Sequence, residues 1–401
     1  MIQTVSATPK RALEFGIYRD GDNNLDAVQA VTLRQALQSS STDSAIEYTV
    51  EDTTAVGSGV LHTDAFRVED GHIASPKVGP AHDMSSAENL ARFVAQTLDN
   101  AEQVGAKQTW IELTDHGAGD GGGLEADSTK RIMSMPAMAD AIAQGVKIHA
   151  QDHPEDAGRR IDGVAANQCL MASLGFADSL SHAGVKYLAA SPETMLAPGT
   201  PTAIADAIAK NETDPGAMGR AVVDTVMNFR YGHGGLTWGP AAAFDVLDVS
   251  AQKMRAVEVS VKSFNDAVAS ASTAYRADVR SDAAAVDGMV RFSEATADMP
   301  WHADRPAVAF YTSVAQDARL NTQLRAAAAG AADAVASTII AHEEKQNFGP
   351  FGGADYADAV GPTVHVPVTH RQIDPWAPKV SETQNAFYKE TDGALLAGAL
   401  A

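Results

Sequence analysis

The chain reads as an α/β protein built on a central, mostly parallel sheet with helices on both faces. Two observations predict this. Short apolar runs of strand length alternate with longer helical patterns through the first half of the sequence. Several of the strands end in turns rich in Gly, Asp or Asn, the usual exit from a buried parallel strand. With 401 residues, 45% of them hydrophobic and 20% charged, the chain can bury a substantial core.

The elements follow in order. Leu13 to Arg19 is apolar enough for a buried strand, and Asp20-Gly21-Asp22-Asn23-Asn24 is a turn and helix-start signal. A helix follows to about Gln38, then a short strand from Ile46 to Val50. Met84 to Glu88 opens a second helix, with Ser85 as cap and Glu88 three residues on, and it runs to about Val104. Thr109 to Asp115 is the next strand. Ser134 caps a helix through Gln144, Ile161 to Gln168 forms a strand, Leu170 to Ala183 a helix and Val185 to Ser191 a strand.

The character changes after Pro201. Residues 201–345 are rich in alanine, poor in turn signals, and read mostly as helices. Val257, Val261, Phe264 and Val268 recur at helical spacing and mark a core face. Ala307 to Thr312 reads as an isolated strand, and Val360 to Pro367 as a last strand before a proline-containing tail. No flexible linker is visible, so a single domain is expected: a core over 11–200, helical additions over 201–345, and a final strand and tail over 346–401.

Bulk properties exclude several functions. A net charge of −21 disfavours nucleic acid, which needs a basic surface, and equally an anionic membrane face. No run of about 18 apolar residues exists, so no membrane span is expected. Residues 1–12 lack the apolar stretch of a signal peptide. The expected location is cytoplasmic if this start is native, and periplasmic or secreted if an export signal has been removed. One cysteine rules out an internal disulfide.

That cysteine, Cys169, stands just past a strand, and His116 stands just past another. A free thiol titrates near ~8.5 and needs a nearby base to become a nucleophile at neutral pH. Strand ends on a parallel sheet are where α/β proteins place such pairs. Gly117, Gly119, Gly121, Gly122 and Gly123 follow the histidine and allow close backbone approach to a ligand. The Gly117 and Cys169 amides are the expected oxyanion donors.

Four segments carry a resemblance. They are Phe15-Gly16-Ile17-Tyr18-Arg19-Asp20-Gly21-Asp22-Asn23-Asn24-Leu25, Leu113-Thr114-Asp115-His116-Gly117-Ala118-Gly119, Asn167-Gln168-Cys169-Leu170-Met171, and Ala190-Ser191-Pro192-Glu193-Thr194. Together, and in this order, they resemble the conserved blocks of the clostripain family of cysteine peptidases, in the clan of caspases, gingipains and legumains. The resemblance implies a caspase-like α/β/α sandwich with additional C-terminal helices, and a peptide or protein substrate. It also implies a His116–Cys169 dyad acting through a thioester, with no required cofactor. Asn167, Ser191 and Glu193 fall where the family lines its substrate pocket.

There are departures. Relatives that cleave after Arg or Lys carry Asp two positions before the cysteine, and here that position is Asn167. An amide cannot supply the charge that selects a cation. A preference not restricted to Arg or Lys is expected, with Asn167 bonding a polar or small side chain. Asp115 is not expected to orient the imidazole, because neighbouring strand residues point to opposite faces. Relatives often cut themselves after a basic residue, and Lys130-Arg131 and Arg159-Arg160, in expected loops, are the candidates.

Other readings fare worse. Gly117-Ala118-Gly119-Asp120-Gly121-Gly122 matches a dinucleotide fingerprint formally, yet no helix starts there and no acid stands at the right distance. Asp20, Asp22, Asn24 and Asp26 begin like a calcium loop but lack its glycine and closing glutamate. Weak Ca2+ binding by the acidic loop of Asp120, Glu125 and Asp127 stays open. His149 and His153 are four residues apart, but Pro154 and its acidic neighbours read as loop, so no metal site is expected there. The runner-up is a caspase-like protein that is inactive or a zymogen and only binds peptides.

Overall fold

The computed structural model describes residues 11–42, 45–233, 236–286, 303–345, 359–368 and 386–400. The strands are β1 Leu13–Asp20, β2 Ile46–Thr54, β3 His62–Glu69, β4 His72–Pro80, β5 Gln108–Thr114, β6 Gly123–Ala126, β7 Arg131–Met133, β8 Gly163–Asn167, β9 Tyr187–Ala190, β10 Tyr231–His233, β11 Leu236–Trp238, β12 Ala243–Asp248, β13 Asp304–Pro306, β14 Ile339–Glu344 and β15 Thr363–His365. The helices are α1 Asp26–Gln29, α2 Val31–Thr42, α3 Ala87–Val104, α4 Met135–Asp152, α5 Leu174–His182, α6 Ile204–Lys210, α7 Pro215–Asn228, α8 Ala251–Ala269, α9 Thr273–Ala285, α10 Ala307–Gln316, α11 Thr322–Ala336, α12 Ala386–Glu390 and α13 Gly393–Leu400.

Nine strands form one sheet in the order β14-β12-β9-β8-β5-β1-β2-β3-β4. The five central strands, β9 to β2 in that order, run parallel. An antiparallel pair extends each edge. The central strands are buried on both faces, as parallel strands between helical layers must be. Their side chains alternate accordingly. Tyr18, Ile111, Leu113, Val164, Ala166 and Leu188 pack with α3, α4, α5 and α8 to α11. Phe15, Ile17, Trp110, Ala165 and Ala189 pack on the other side with α6 and α7. This is the α/β class expected, with helices covering a large, mostly parallel sheet.

Several expectations are corrected. The cap of α3 is Ser86, and Ser85 instead bonds the Asp83 carboxylate, which closes a turn before the helix. The helix α4 does not stop at Gln144 but continues to Asp152, so His149 lies on a helix and His153 caps it. The helix after the cysteine starts at Leu174, capped by Ser173, and Leu170 has a left-handed φ of 71° that no helix start would have. Ala307 to Thr312 belongs to α10, whose Ala307, Phe310, Tyr311 and Val314 line one buried helical face. The segment read as mostly helical also supplies β12 and β14 to the central sheet. The late strand β15 is shorter than expected and pairs with β13 in a separate two-stranded sheet. The hairpin of β3 and β4 was not expected. The proline-containing tail lies largely outside the described residues.

Val257, Val261, Phe264 and Val268 are all buried, as their spacing predicts. Phe264 meets Phe310 and Tyr311 edge-on, at ring distances of 5.8 Å and 5.2 Å. Truncation there leaves a cavity in the helical layer. Phe264→Ala is expected to cost about 3–5 kcal/mol, read as a lower urea midpoint. An unchanged midpoint would mean that this layer does not fold cooperatively with the sheet.

Candidate active site

Four parallel strands, β1, β5, β8 and β9, end along the same edge of the sheet. Their exits are the Asp20–Asn24 turn, the His116 loop, the Cys169 loop and residues 191–200. This edge is where a doubly covered parallel sheet leaves room for a ligand.

The pairing of β5 with β8 matches Thr114 with Asn167, so the two loops leave side by side. The Asp115 amide continues the ladder to Asn167 O at 3.3 Å. Gln168, itself buried, donates from Nε2 to the His116 carbonyl at 2.9 Å. A Cβ on Gly117 would lie 3.0 Å from the Cys169 nitrogen and 2.8 Å from Gln168 Cβ. Only glycine lets the loops come this close. Neither the Gly117 nor the Cys169 amide donates to a backbone carbonyl among the described residues.

The first turn is held from below. Arg19, fully buried, bonds Asp52 at 2.6 Å and Asp26 at 3.1 Å. Above it the Asp20 and Asn23 side chains accept from the amides of Asp22 and Leu25 and fix the turn. Asn23 then donates to Asp115 at 2.6 Å, and Asn24 Oδ1 accepts from His116 Nε2 at 2.8 Å. With Nε2 donating to this amide oxygen, Nδ1 is the ring nitrogen left for a further partner. Asp115 does not touch the ring. Its carboxylate takes the amides of His116 and Glu125 and shapes the loop. Burial and the Asp20 carboxylate push Asp115 well above the usual carboxylate range.

Cys169 is half-buried. Its sulfur accepts from the Met195 amide at 3.3 Å and donates to the Met195 carbonyl at 3.8 Å. The cysteine loop is fastened to the same segment, with Leu170 N donating to Glu193 O and Ala172 N to Ser191 O, each at 3.0 Å. Burial pushes the thiol up, the Met195 amide opposes this, and the Asp115 and Glu193 charges raise it further. A thiolate here needs a cation beside it.

The residues expected to bind substrate are buried, and Asn167 and Ser191 bond within the chain. Asn167 is buried, accepts from Thr200 N at 2.7 Å, and donates at 3.4 Å to Glu112 and to the Pro198 carbonyl. It anchors the 198–200 loop. Ser191 is buried, donates to Ala243 O at 2.8 Å and accepts from Glu193 N at 3.1 Å. The Glu193 side chain is likewise buried. The acidic loop does not converge either. Asp120 is buried beside Asp304 and His365, whereas Glu125 and Asp127 are exposed and Asp127 pairs with Lys130. Lys130 sits at an exposed hairpin tip and Arg131 in β7 rather than in a loop. Arg159 is half-buried and bonds Asp156 and the Ala106 carbonyl.

Neither a protein-family model nor a curated protein sequence matches this chain. Solved structures do. A secreted C11 cysteine protease from Bacteroides thetaiotaomicron, iotapain, superposes with a TM-score of 0.66 at 14% identity, covering 96% of this chain and 99% of that one. A second structure from that organism, a secreted C11 cysteine protease with an irreversible peptide inhibitor, gives a TM-score of 0.66 at 12% identity over 96% and 99%. An inactive zymogen C11 protease from Parabacteroides distasonis gives 0.63 at 14% identity over 95% and 98%. The fold is that of the C11, clostripain-family cysteine proteases. In this C11 fold, the four strand exits are the four segments whose sequence resembles the clostripain blocks.

Sequence reasoning missed the residues that join these exits. Asn24 and Gln168 lie within the matched blocks, but nothing local reveals that one meets the imidazole and the other bridges two loops. Glu112 was missed as well. It is fully buried, accepts from Thr114 at 2.7 Å, and burial raises its carboxyl to about 7.

Two outcomes follow. Asn24→Ala is expected to leave the melting temperature unchanged and slow peptide hydrolysis about tenfold, the worth of one oriented hydrogen bond. An unchanged rate would remove Asn24 from the site. For Glu112, the folded protein holds a proton up to about pH 7 that the unfolded chain releases near 4.5, so its contribution to stability declines as pH rises through that window. Glu112→Gln should flatten the decline by up to about 3 kcal/mol, measured by urea unfolding at pH 5 and pH 8.

Proposed function

We propose that the protein is a cysteine endopeptidase with Cys169 as nucleophile and His116 as general acid and base. The reading is carried by one observation: the His116 and Cys169 loops interlock at the ends of adjacent parallel strands, through Gly117 and Gln168. Asn24, bonded to Nε2, supports it by leaving Nδ1 for proton transfer.

The Cys169 thiolate, its proton passed to His116, attacks the peptide carbonyl carbon. The carbonyl oxygen takes the charge and is met by the Gly117 and Cys169 amides. As the C–N bond breaks, the imidazolium protonates the leaving amine and a thioester remains. Water, losing a proton to His116, attacks the thioester and releases the acid and the thiol. Asn167 carries no charge, and its amide is engaged by Thr200 and Pro198, so the residue before the scissile bond is not restricted to Arg or Lys.

A second reading is favoured by the Met195 contacts. The sulfur engages that residue's amide and carbonyl, and the latent enzyme must lift the 194–196 segment from the thiol before a peptide enters. A C11 neighbour is an inactive zymogen.

Cleavage of a diverse peptide library tests both readings. Endopeptidase activity lost in Cys169→Ala, with products not confined to Arg or Lys ends, is the expected result. Cleavage appearing only after limited proteolysis supports the latent form. Cleavage retained by Cys169→Ala would refute the proposal, and a strict Arg or Lys preference would refute the role given to Asn167.

A further inference from the structure

We propose that Asp99, His149 and His153 form a zinc site at the end of the sheet opposite His116 and Cys169. It does not depend on the peptidase reading.

The site is built by helix packing. The helices α3 and α4 lie against each other so closely that a Cβ on Gly145 would meet Val94 Cβ at 2.5 Å. One turn further along α4, His149 is fully buried against α3, and His153 caps the helix. The two imidazoles stack, 5.0 Å apart and 16° from parallel. Both address one oxygen: Asp99 Oδ1 lies 2.7 Å from His149 Nδ1 and 3.4 Å from His153 Nε2. One ligand atom from each residue lies within 4.8 Å of the others. Tetrahedral zinc sets its N and O ligands about 3.3 Å apart, so His153 Nε2 already stands at that distance from Asp99 Oδ1, while His149 Nδ1 moves out by about half an ångström and the stacked rings turn to bring both lone pairs onto the ion.

The remaining ring nitrogens are also provided for. His153 Nδ1 lies 2.5 Å from Glu102 Oε2, and His149 Nε2 lies 3.5 Å from Asp156 Oδ2. Ligating histidines commonly give their second N–H to a carboxylate, which fixes the tautomer and strengthens the ligand. His149 Nε2 is buried and makes no hydrogen bond among the described residues; Asp156 Oδ2, which Arg159 also engages, lies 3.5 Å away. A neutral His149 bound through Nδ1 places its proton on that nitrogen. Two imidazoles and a carboxylate make the mixed donor set that zinc prefers, with one position left for water. Asp99 and His153 are about one-third exposed, which leaves the ion a way in. Asp156 stands in the connection from α4 to β8, so the ion would pin that connection to α3.

The test uses the full chain, free of any histidine tag and stripped with a chelator. Calorimetric titration with Zn2+ should give one ion per chain, and Co2+ should give the intense visible absorption of a four-coordinate site. His149 is buried and its loss can unfold the protein, so the exposed ligand is varied. His153→Ala should weaken binding at least 100-fold and abolish the rise in melting temperature on adding Zn2+. Glu102→Gln, changing only the outer carboxylate, should weaken it about 10- to 100-fold. His182→Ala, in a separate Asp178–His182–Glu258 cluster, should bind as the parent does. No uptake of Zn2+, a six-coordinate Co2+ spectrum, or binding kept by His153→Ala but lost by His182→Ala would each overturn the proposal.

Discussion

The parallel pairing of β5 with β8 is the constraint on which the rest depends. Its register opposes Thr114 to Asn167, and the residues that follow have no freedom to diverge. His116 and Cys169, 53 residues apart in the chain, are thereby placed on loops that share backbone contacts. A slip of one residue would turn every side chain of one strand to the opposite layer. Two fully buried faces forbid that: Ile111 and Val164 belong to one core, Trp110 and Ala165 to the other.

Around that pairing, polar side chains act as fasteners. Asn167 holds the 198–200 loop, Ser191 ties the end of β9 to β12, and Arg19 anchors the first turn. Each satisfies groups that burial would otherwise leave unpaired. The cost appears in the carboxylates. Glu112 is pushed to about 7 by burial, and Asp20 also to about 7. Such a neighbourhood disfavours a thiolate.

Most of the fold was legible because its strands are continuous apolar runs closed by turn residues, as in Leu13–Arg19 before Asp20-Gly21-Asp22. What was missed has physical causes. Ala307–Thr312 is a short apolar run that fits either period, and only the partners of Phe310 and Tyr311 decide for a helix. The β3–β4 hairpin contains Pro76 and Pro80 and is largely exposed along β4, so it carries no apolar signature. The helix α4 outruns its expected end because His149 is buried by α3, a contact that no local pattern encodes. Within the site, the block residues His116, Gly117 and Cys169 fall on adjoining loops. Asn167, Ser191 and Glu193 fall beside them in sequence and are buried.

The most direct measurement is the pH dependence of alkylation of Cys169 by a peptide-bearing electrophile, in the parent and in His116→Gln. If the imidazole serves the thiol, the parent reacts at neutral pH, with a rate set by two titrations, and the variant reacts only as the isolated thiol ionises at high pH. A single high titration, the same in both proteins, would contradict the account.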